Sequence, residues 1–94
     1  MNTFEFKRLD IKPGDRILDI GCGSGRHTSA VFQFKEITVI GADHNINDLY
    51  EARDRIQLHE RLGEHGGGHW GLVTADIAAL PFKKEAFDLV ICSE

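Results

Sequence analysis

A stretch of twelve residues, RILDIGCGSGRH from Arg16 to His27, constrains the fold of this chain more than any other. It begins with an apolar run typical of a buried strand and then places glycines at every second position, at Gly21, Gly23 and Gly25. The residues after the glycines repeat at helical spacing, at His27, Ala30, Val31 and Phe34. Because glycine lacks Cβ, such a loop lets the backbone approach a ligand closely, and the helix after it points free N–H groups at that ligand. The stretch therefore predicts a strand, a nucleotide-binding loop and a helix.

The spacing of the glycines narrows the class of ligand. Dinucleotide-binding loops follow the pattern G-x-G-x-x-G, and phosphate-binding P-loops end in Gly-Lys-Ser or Gly-Lys-Thr. Here the pattern is G-x-G-x-G, and Gly25 is followed by Arg26 and His27. Asp19 stands just before the glycines, where a carboxylate suits a ligand with an ammonium or sulfonium group better than a pyrophosphate. Arg26 is equally compatible with a contact to a ligand carboxylate and with a plain surface position.

Three further apolar segments predict strands: Glu36–Gly41, Leu72–Ala75 and Phe87–Cys92. The first two connect to acidic residues, Asp43 and Asp76. Asp43 lies twenty-two residues past Gly21, and an acid at this point can accept hydrogen bonds from both hydroxyls of a ribose. The connection between the first two strands is long enough for a helical crossover, so these strands should be parallel. The last segment is apolar throughout, which predicts a strand buried on both faces.

The segment Asn45–Leu62 predicts the second helix, with Asn45 or Asn47 as its N-cap. An apolar stripe at helical spacing faces the sheet and consists of Leu49, Ala52, Ile56 and His59. We interpret the opposite face as a solvated surface without a function; it carries Glu51, Arg53, Asp54, Arg55, Glu60 and Arg61. The first residues, Met1–Lys12, predict a short helix or an irregular lead-in that covers one edge of the sheet.

The residues LDIGCGSG resemble motif I of the class I S-adenosylmethionine-dependent methyltransferases. The segments VTADIAALPF and FDLVIC are similar to later motifs of the same family. The resemblance implies an α/β fold, a Rossmann-like parallel sheet in three α/β/α layers. The family sheet has seven strands in the order 3-2-1-4-5-7-6, of which this chain supplies the order 3-2-1-4. Residues 1–94 are therefore expected to be the amino-terminal, cofactor-binding part of a truncated methyltransferase domain.

The resemblance also implies roles for single residues. The glycine backbone makes room for the methionine end of S-adenosylmethionine, Asp19 orients the loop and the amino group, and Asp43 holds the ribose. His44 flanks the adenine, Asp76 and the Ile77 N–H bind it, and Cys92 and Ser93 lie beside the methionine part. The implied cofactor-binding residues are Asp19, Gly21, Cys22, Gly23, Gly25, Asp43, His44, Asp76, Ile77, Cys92 and Ser93. The methyl acceptor and the catalytic residues are not indicated.

Composition excludes several other classes of protein. The net charge is −4 and no basic cluster exceeds two residues, which argues against a nucleic-acid surface. No long apolar run begins the chain, so we expect neither a signal peptide nor a membrane span, and a cytoplasmic location. Cys22 and Cys92 are expected to be free buried thiols that could lie close together. The spacing of His59, His65 and His69 does not fit a zinc site, so no metal is predicted.

Two alternatives stay open at this point. A nicotinamide-dependent oxidoreductase fragment shares the layout of strand, glycines and acid, but it gives no reason for Asp76. A non-catalytic half-domain is the other alternative, because the strand Phe87–Cys92 would be a bare apolar edge that pairs with a second copy or with a missing half. A homodimer through this strand is therefore one expected partner, besides S-adenosylmethionine and S-adenosylhomocysteine.

Overall fold

Four parallel strands and two α-helices make up the part of the chain that the computed structural model describes, residues 11–92. Only the backbone is described for Ile77 and Lys84. The elements are β1 (Arg16–Ile20), α1 (Arg26–Val31), β2 (Thr38–Asp43), α2 (Ile46–Arg61), β3 (His69–Thr74) and β4 (Leu89–Cys92). The lead-in predicted for Met1–Lys12 lies almost wholly outside the described residues.

The strands are ordered β3-β2-β1-β4, and every pair is parallel. Each β-to-β connection between β1 and β2 and between β2 and β3 contains a helix, as parallel neighbours require. The predicted Rossmann-like fold class and the predicted strand order are confirmed. Among residues 11–92, no helix has the length and apolar content needed to cross a membrane.

Both α-helices pack on the same face of the sheet. Side chains from α1, α2 and the loop between α1 and β2 form one buried cluster with one residue from each of β1, β2 and β4: Ile17, Val31, Phe32, Ile37, Val39, Ile56 and Ile91. The opposite face of β1 and β4 carries Leu18, Ile20 and Val90, which line a cavity of about 390 Å³ beneath the segment Leu80–Lys83. Within residues 11–92 there is therefore one sheet with one helical layer, and on the other face of β1 and β4 lies the irregular segment Leu80–Lys83.

The second and third strands differ in their bounds from the predictions. β2 begins at Thr38 rather than Glu36, because Glu36 has a φ of +55° and turns the chain before the strand starts. It continues to Asp43, which pairs with Thr74 of β3. β3 begins at His69, three residues earlier than predicted, because the His69 N–H donates to the Ile37 carbonyl and brings Trp70 into the strand.

The first helix and the fourth strand are shorter than predicted. α1 ends at Val31 with Phe32 as its C-cap, since the N–H groups of Gln33 and Phe34 bond to carbonyls only three residues back. β4 begins at Leu89, two residues later than predicted, and the Phe87 ring before it packs edge-on against Phe82 with centroids 5.4 Å apart. The predicted burial of β4 on both faces is wrong for the described part of the chain: Ile91 is buried, but Val90 is 45% exposed because no helix covers that face.

Candidate functional site

The carboxyl ends of the four strands lie at one edge of the sheet. Ile20 at the end of β1 pairs with Ala42 of β2 and with Cys92 of β4. Asp43 at the end of β2 pairs with Thr74 at the end of β3, which Asp76 follows two residues later. Because ligands of open α/β sheets bind at this edge, near the point where the strand order reverses, we take it as the candidate site.

A glycine loop crosses this edge between β1 and α1. Gly21, Gly23 and Gly25 have φ values of +69°, +54° and +83°, a region that residues with a Cβ rarely adopt. The Gly21 and Cys22 N–H groups donate to the Ala42 carbonyl at 2.7 and 3.1 Å, which anchors the loop to β2. An added Cβ at Gly23 would meet no atom within 4 Å, so the space over the middle of the loop is open.

Asp43 fixes the glycine loop from the end of β2. Its Oδ2 accepts from the Gly23 N–H and its Oδ1 accepts from the Asn45 N–H, each at 2.9 Å. The residue is only 7% exposed, and each carboxylate oxygen can accept more than one hydrogen bond. Asp43 therefore links the loop, the strand end and the start of α2, where Asn45 is the N-cap as predicted. The ribose contact predicted for it stays a prediction.

Asp19 supports the loop from beneath α1. It has no accessible surface, and its Oδ2 accepts from the Thr28 hydroxyl at 2.7 Å. This bond joins the end of β1 to the first turn of α1 and so spans the glycine loop. Orientation of the loop is thus the role that the geometry supports, whereas contact with a ligand amino group would require Asp19 to become accessible and stays a prediction.

Cys22 is a buried thiol in the loop, and its surroundings keep it protonated. Burial, followed by the negative charges of Asp19 and Asp43, raises the pKa of Cys22 from 9.0 to about 12. A thiolate is the nucleophilic form of cysteine, so Cys22 is unsuited to attack a substrate. Cys92 is also a free thiol but is exposed, so the prediction of burial is right for Cys22 and wrong for Cys92.

Asp76 and His44 lie on the two loops that flank the edge on the β3 side. The Asp76 Oδ1 accepts from the Ala78 N–H at 2.9 Å and caps a 3₁₀ turn over Ile77–Ala79. His44 has a side chain that is 80% exposed, and its Nδ1 lies 3.6 Å from the Asp43 carboxylate. Their predicted contacts with an adenine stay predictions, and Ser93 lies outside the described residues.

Three residues that hold the loop were not predicted. Thr28 is the buried donor to Asp19. Ala52 of α2 lies so close to Gly25 that an added Cβ there would be 2.7 Å from the Ala52 Cβ. Arg55 donates from Nε to the Ser24 carbonyl at 3.1 Å, although its charged helix face was predicted to be solvated only. The contact of Ala52 with the loop could have been suspected only from the presence of a small residue in the apolar stripe of α2. Nothing in the residue spacing indicates the contact of Arg55 with Ser24.

The edge thus offers groups for binding rather than groups for bond breaking. It presents the carboxylates of Asp43 and Asp76 and open space over the loop, and the Cys22 thiol is held protonated. Residues 11–92 contain no cluster of three or more His, Cys, Asp or Glu side chains that could hold a metal ion. Such an arrangement suits a neutral or cationic ligand with hydroxyl and amine donors.

Comparison with known proteins gives one consistent family. Residues 17–94 match the family described as methyltransferase domain. The methyltransferase GfsG of Streptomyces halstedii is 32% identical over 88 residues, which cover 90% of this chain and 29% of that protein. The chain therefore spans less than a third of the length of this relative.

Solved structures agree with the fold. A SAM-dependent methyltransferase from Thiobacillus denitrificans, in complex with S-adenosyl-L-homocysteine, superposes with a TM-score of 0.68 at 24% identity. The match covers 89% of this chain and 32% of that chain. The YcgJ protein of Bacillus subtilis gives a TM-score of 0.62 at 28% identity and covers 93% of this chain and 34% of that chain. The four-stranded sheet thus corresponds to about a third of each larger chain.

Proposed function

The chain belongs to the methyltransferase domain family, and from that premise we propose that it binds S-adenosylmethionine as the cofactor-binding part of an S-adenosylmethionine-dependent methyltransferase. The curated relative GfsG is named as a methyltransferase, and the Thiobacillus structure contains S-adenosyl-L-homocysteine. The acceptor of the methyl group is left open, because this part of a larger domain gives no residues that identify it. The cytoplasmic location expected from the sequence also stays a prediction.

The observation that carries this proposal is the bond between Asp43 and the Gly23 N–H at 2.9 Å. It joins the loop after β1 to the acid after β2, so the two features that the sequence singled out form one structural unit. The open space over Gly23 lies directly beside this bond. We propose that the methionine part of the ligand occupies that space and that the ribose hydroxyls donate to the remaining lone pairs of Asp43.

Further along the edge we assign the adenine to the space between the loops of His44 and Asp76. Asp76 Oδ1 already accepts the Ala78 N–H, which fixes the orientation of the carboxylate. A carboxylate whose orientation is already fixed can accept a hydrogen bond from the exocyclic amine of adenine, and binding then costs less side-chain conformational entropy. The Ile77 N–H lies at the start of the same 3₁₀ turn and is a donor for the ring.

The bound cofactor would supply an activated methyl group on its sulfonium, and the residues of this chain would hold it for an acceptor in line. The buried carboxylates of Asp19 and Asp43 give the loop a negative surrounding, which favours a cationic ligand over its neutral product. The protonated Cys22 takes no part as a nucleophile. In this scheme the protein promotes methyl transfer by positioning the cofactor and by the negative charge around it, without a covalent intermediate on the protein.

The test is isothermal titration of the chain with S-adenosylhomocysteine and, separately, with NAD. We expect heat with the first ligand and none with the second. Heat with NAD alone would favour the oxidoreductase alternative, and a defined dimer that binds neither ligand would favour the half-domain that assembles through its open edge.

A pair of variants ties the result to the candidate site. Asp43→Asn removes one acceptor and leaves an amide N–H₂ facing a backbone donor, so the affinity should fall about tenfold to a hundredfold. Asp54→Asn changes an exposed acid of α2 whose ion pair within the described residues is with its neighbour Arg53 at 3.1 Å, and it should leave the affinity unchanged. Equal losses in both variants would count against binding at the glycine loop.

A further inference from the structure

Helix α2 contacts the outer side of the glycine loop at two points one turn apart. Ala52 and Arg55 are three positions apart in sequence and therefore share a helix face. The Ala52 Cβ lies against Gly25, at a spacing that leaves no room for a side chain there. The Arg55 Nε donates to the carbonyl of Ser24, the residue directly before Gly25, at 3.1 Å.

The loop is thus held from both sides at three consecutive residues. Asp43 binds the Gly23 N–H from the side of the sheet, and Arg55 binds the Ser24 carbonyl from the side of α2. The next residue, Gly25, packs closely against Ala52 of α2. A glycine-rich backbone with three positive φ values has many alternative conformations, so each such contact removes some of them.

We propose that Arg55 is a positioning residue, which holds the glycine loop in the conformation that receives the ligand. The inference rests on the proposed function for its ligand, but the loop contact itself does not. Arg55 is exposed, so water can replace it at the Ser24 carbonyl and the fold as a whole loses little when it is changed. The loss falls on the loop, where a smaller competent fraction weakens the apparent affinity in proportion.

The other arginine of the same turn provides a matched control. Arg53 is exposed like Arg55, but its guanidinium pairs with Asp54 and lies 5.1 Å from the centre of the Tyr50 ring, away from the loop. Arg53→Gln and Arg55→Gln remove the same charge from the same helix. A difference between these variants therefore reports the contact with Ser24 rather than the net charge.

The experiment measures two quantities on the wild-type chain, Arg55→Gln, Arg55→Lys and Arg53→Gln. The first is amide hydrogen exchange at Gly23 and Gly25 without ligand, and the second is the affinity for S-adenosylhomocysteine. In Arg55→Gln we expect both exchange rates to rise and the affinity to fall about threefold to tenfold, the range of one net hydrogen bond. Arg55→Lys keeps a hydrogen-bond donor, so its exchange rates and its affinity should lie between those of the wild type and of Arg55→Gln. Arg53→Gln should match the wild type in both quantities.

Two results would overturn the proposal. One is an unchanged exchange rate at Gly25 in Arg55→Gln, which would mean that the contact does not restrain the loop. The other is equal loss of affinity in Arg53→Gln and Arg55→Gln, which would assign the effect to charge. If the wild-type chain gives no heat with S-adenosylhomocysteine, the proposed function fails, and the exchange rates alone then decide the role of Arg55.

Discussion

Among single residues, Gly25 is constrained both by the conformation of the glycine loop and by close packing against α2. It combines a φ of +83° with a distance of only 2.7 Å between an added Cβ and the Ala52 Cβ. Gly25→Ala should therefore reduce the free energy of unfolding by about 2–4 kcal/mol, from the strained φ together with overpacking. Urea unfolding followed by circular dichroism measures the change.

Gly63→Ala separates the two contributions. Gly63 has a φ of +72°, but an added Cβ there would meet no atom within 4 Å. In Gly63→Ala the free energy of unfolding should therefore fall only by the cost of the strained φ, about 1–2 kcal/mol. If Gly25→Ala is no more destabilising than Gly63→Ala, the close contact between the loop and α2 is not present in solution.

The two cysteines should differ sharply in reactivity. At about pH 8, near the ordinary thiol pKa, iodoacetamide should modify exposed Cys92 and spare Cys22, whose pKa is raised to about 12. In unfolded protein both should react. Mass spectrometry of the labelled peptides reads the outcome, and rapid labelling of Cys22 in folded protein would contradict its burial.

The same raised pKa sets a dependence of stability on alkaline pH. The folded state holds the Cys22 proton more tightly than the unfolded state, whose thiol titrates near 9.0. The stabilisation is therefore complete below pH 9.0 and is lost as the pH rises toward about 12. Cys22→Ser should abolish this slope in urea unfolding, and an unchanged slope would assign it to other groups.

Among the elements, the pairing of β1 with β4 is reinforced by hydrogen bonds between Asp88 and Arg16, just before the ladder begins. The Asp88 Oδ2 accepts from both the backbone N–H of Arg16, at 2.8 Å, and its Nε, at 3.3 Å. These bonds lower the pKa of Asp88 below its ordinary value of 3.8. The stabilisation is therefore present above that value and is lost as the pH falls through the lowered pKa.

Asp88→Asn tests these hydrogen bonds. The variant should unfold at lower urea concentration than the wild type at neutral pH, and the difference should disappear in acid. Asp54→Asn, which changes an exposed acid outside the strands, is the control and should show no such pattern. A constant difference at every pH would mean that the charge of Asp88 contributes nothing.

The elements also show where sequence patterns stop being informative. The succession of strands, loop and α2 along the chain could be predicted because apolar runs and glycines mark them directly, and Asn45 marks its own cap. The order of the strands within the sheet was predicted from the family resemblance alone. The start of β3 could not be predicted, because it depends on a bond from His69 to Ile37, thirty-two residues away. The contact of Arg55 with Ser24 is of the same kind, since a charged residue on a charged helix face carries no local sign of a distant partner.

At the scale of the whole molecule, the sheet of the described residues ends at β4, and an exposed strand edge tends to pair. This strand is internal in the family, but in this chain the sequence predicted a bare apolar edge, and the all-apolar pattern predicted burial on both faces. That burial could not be met within residues 11–92, because both helices lie on one face and Val90 stays 45% exposed. Within the described residues, one apolar face of β4 thus stays without a helical cover.

We therefore expect the chain to associate through β4 as its concentration rises. Light scattering should show a mass that increases toward that of a dimer, and Val90→Lys should return it toward the monomer by placing a charge on the edge strand. Leu62→Lys is the control, since Leu62 is 62% exposed at the end of α2 and away from this edge. A monomer at all concentrations would exclude the homodimer.

The most direct measurement of the central claim is an NMR titration of the isotopically labelled chain with S-adenosylhomocysteine. We expect amide shifts at the glycine loop, at Asp43–Asn45 and at Asp76–Ala78, with none at Gly63 and Gly67 in the loop between α2 and β3. Shifts confined to the groove between α2 and β3, around Tyr50 and Trp70, or no shifts at all, would contradict binding of an adenosyl ligand at this edge of the sheet.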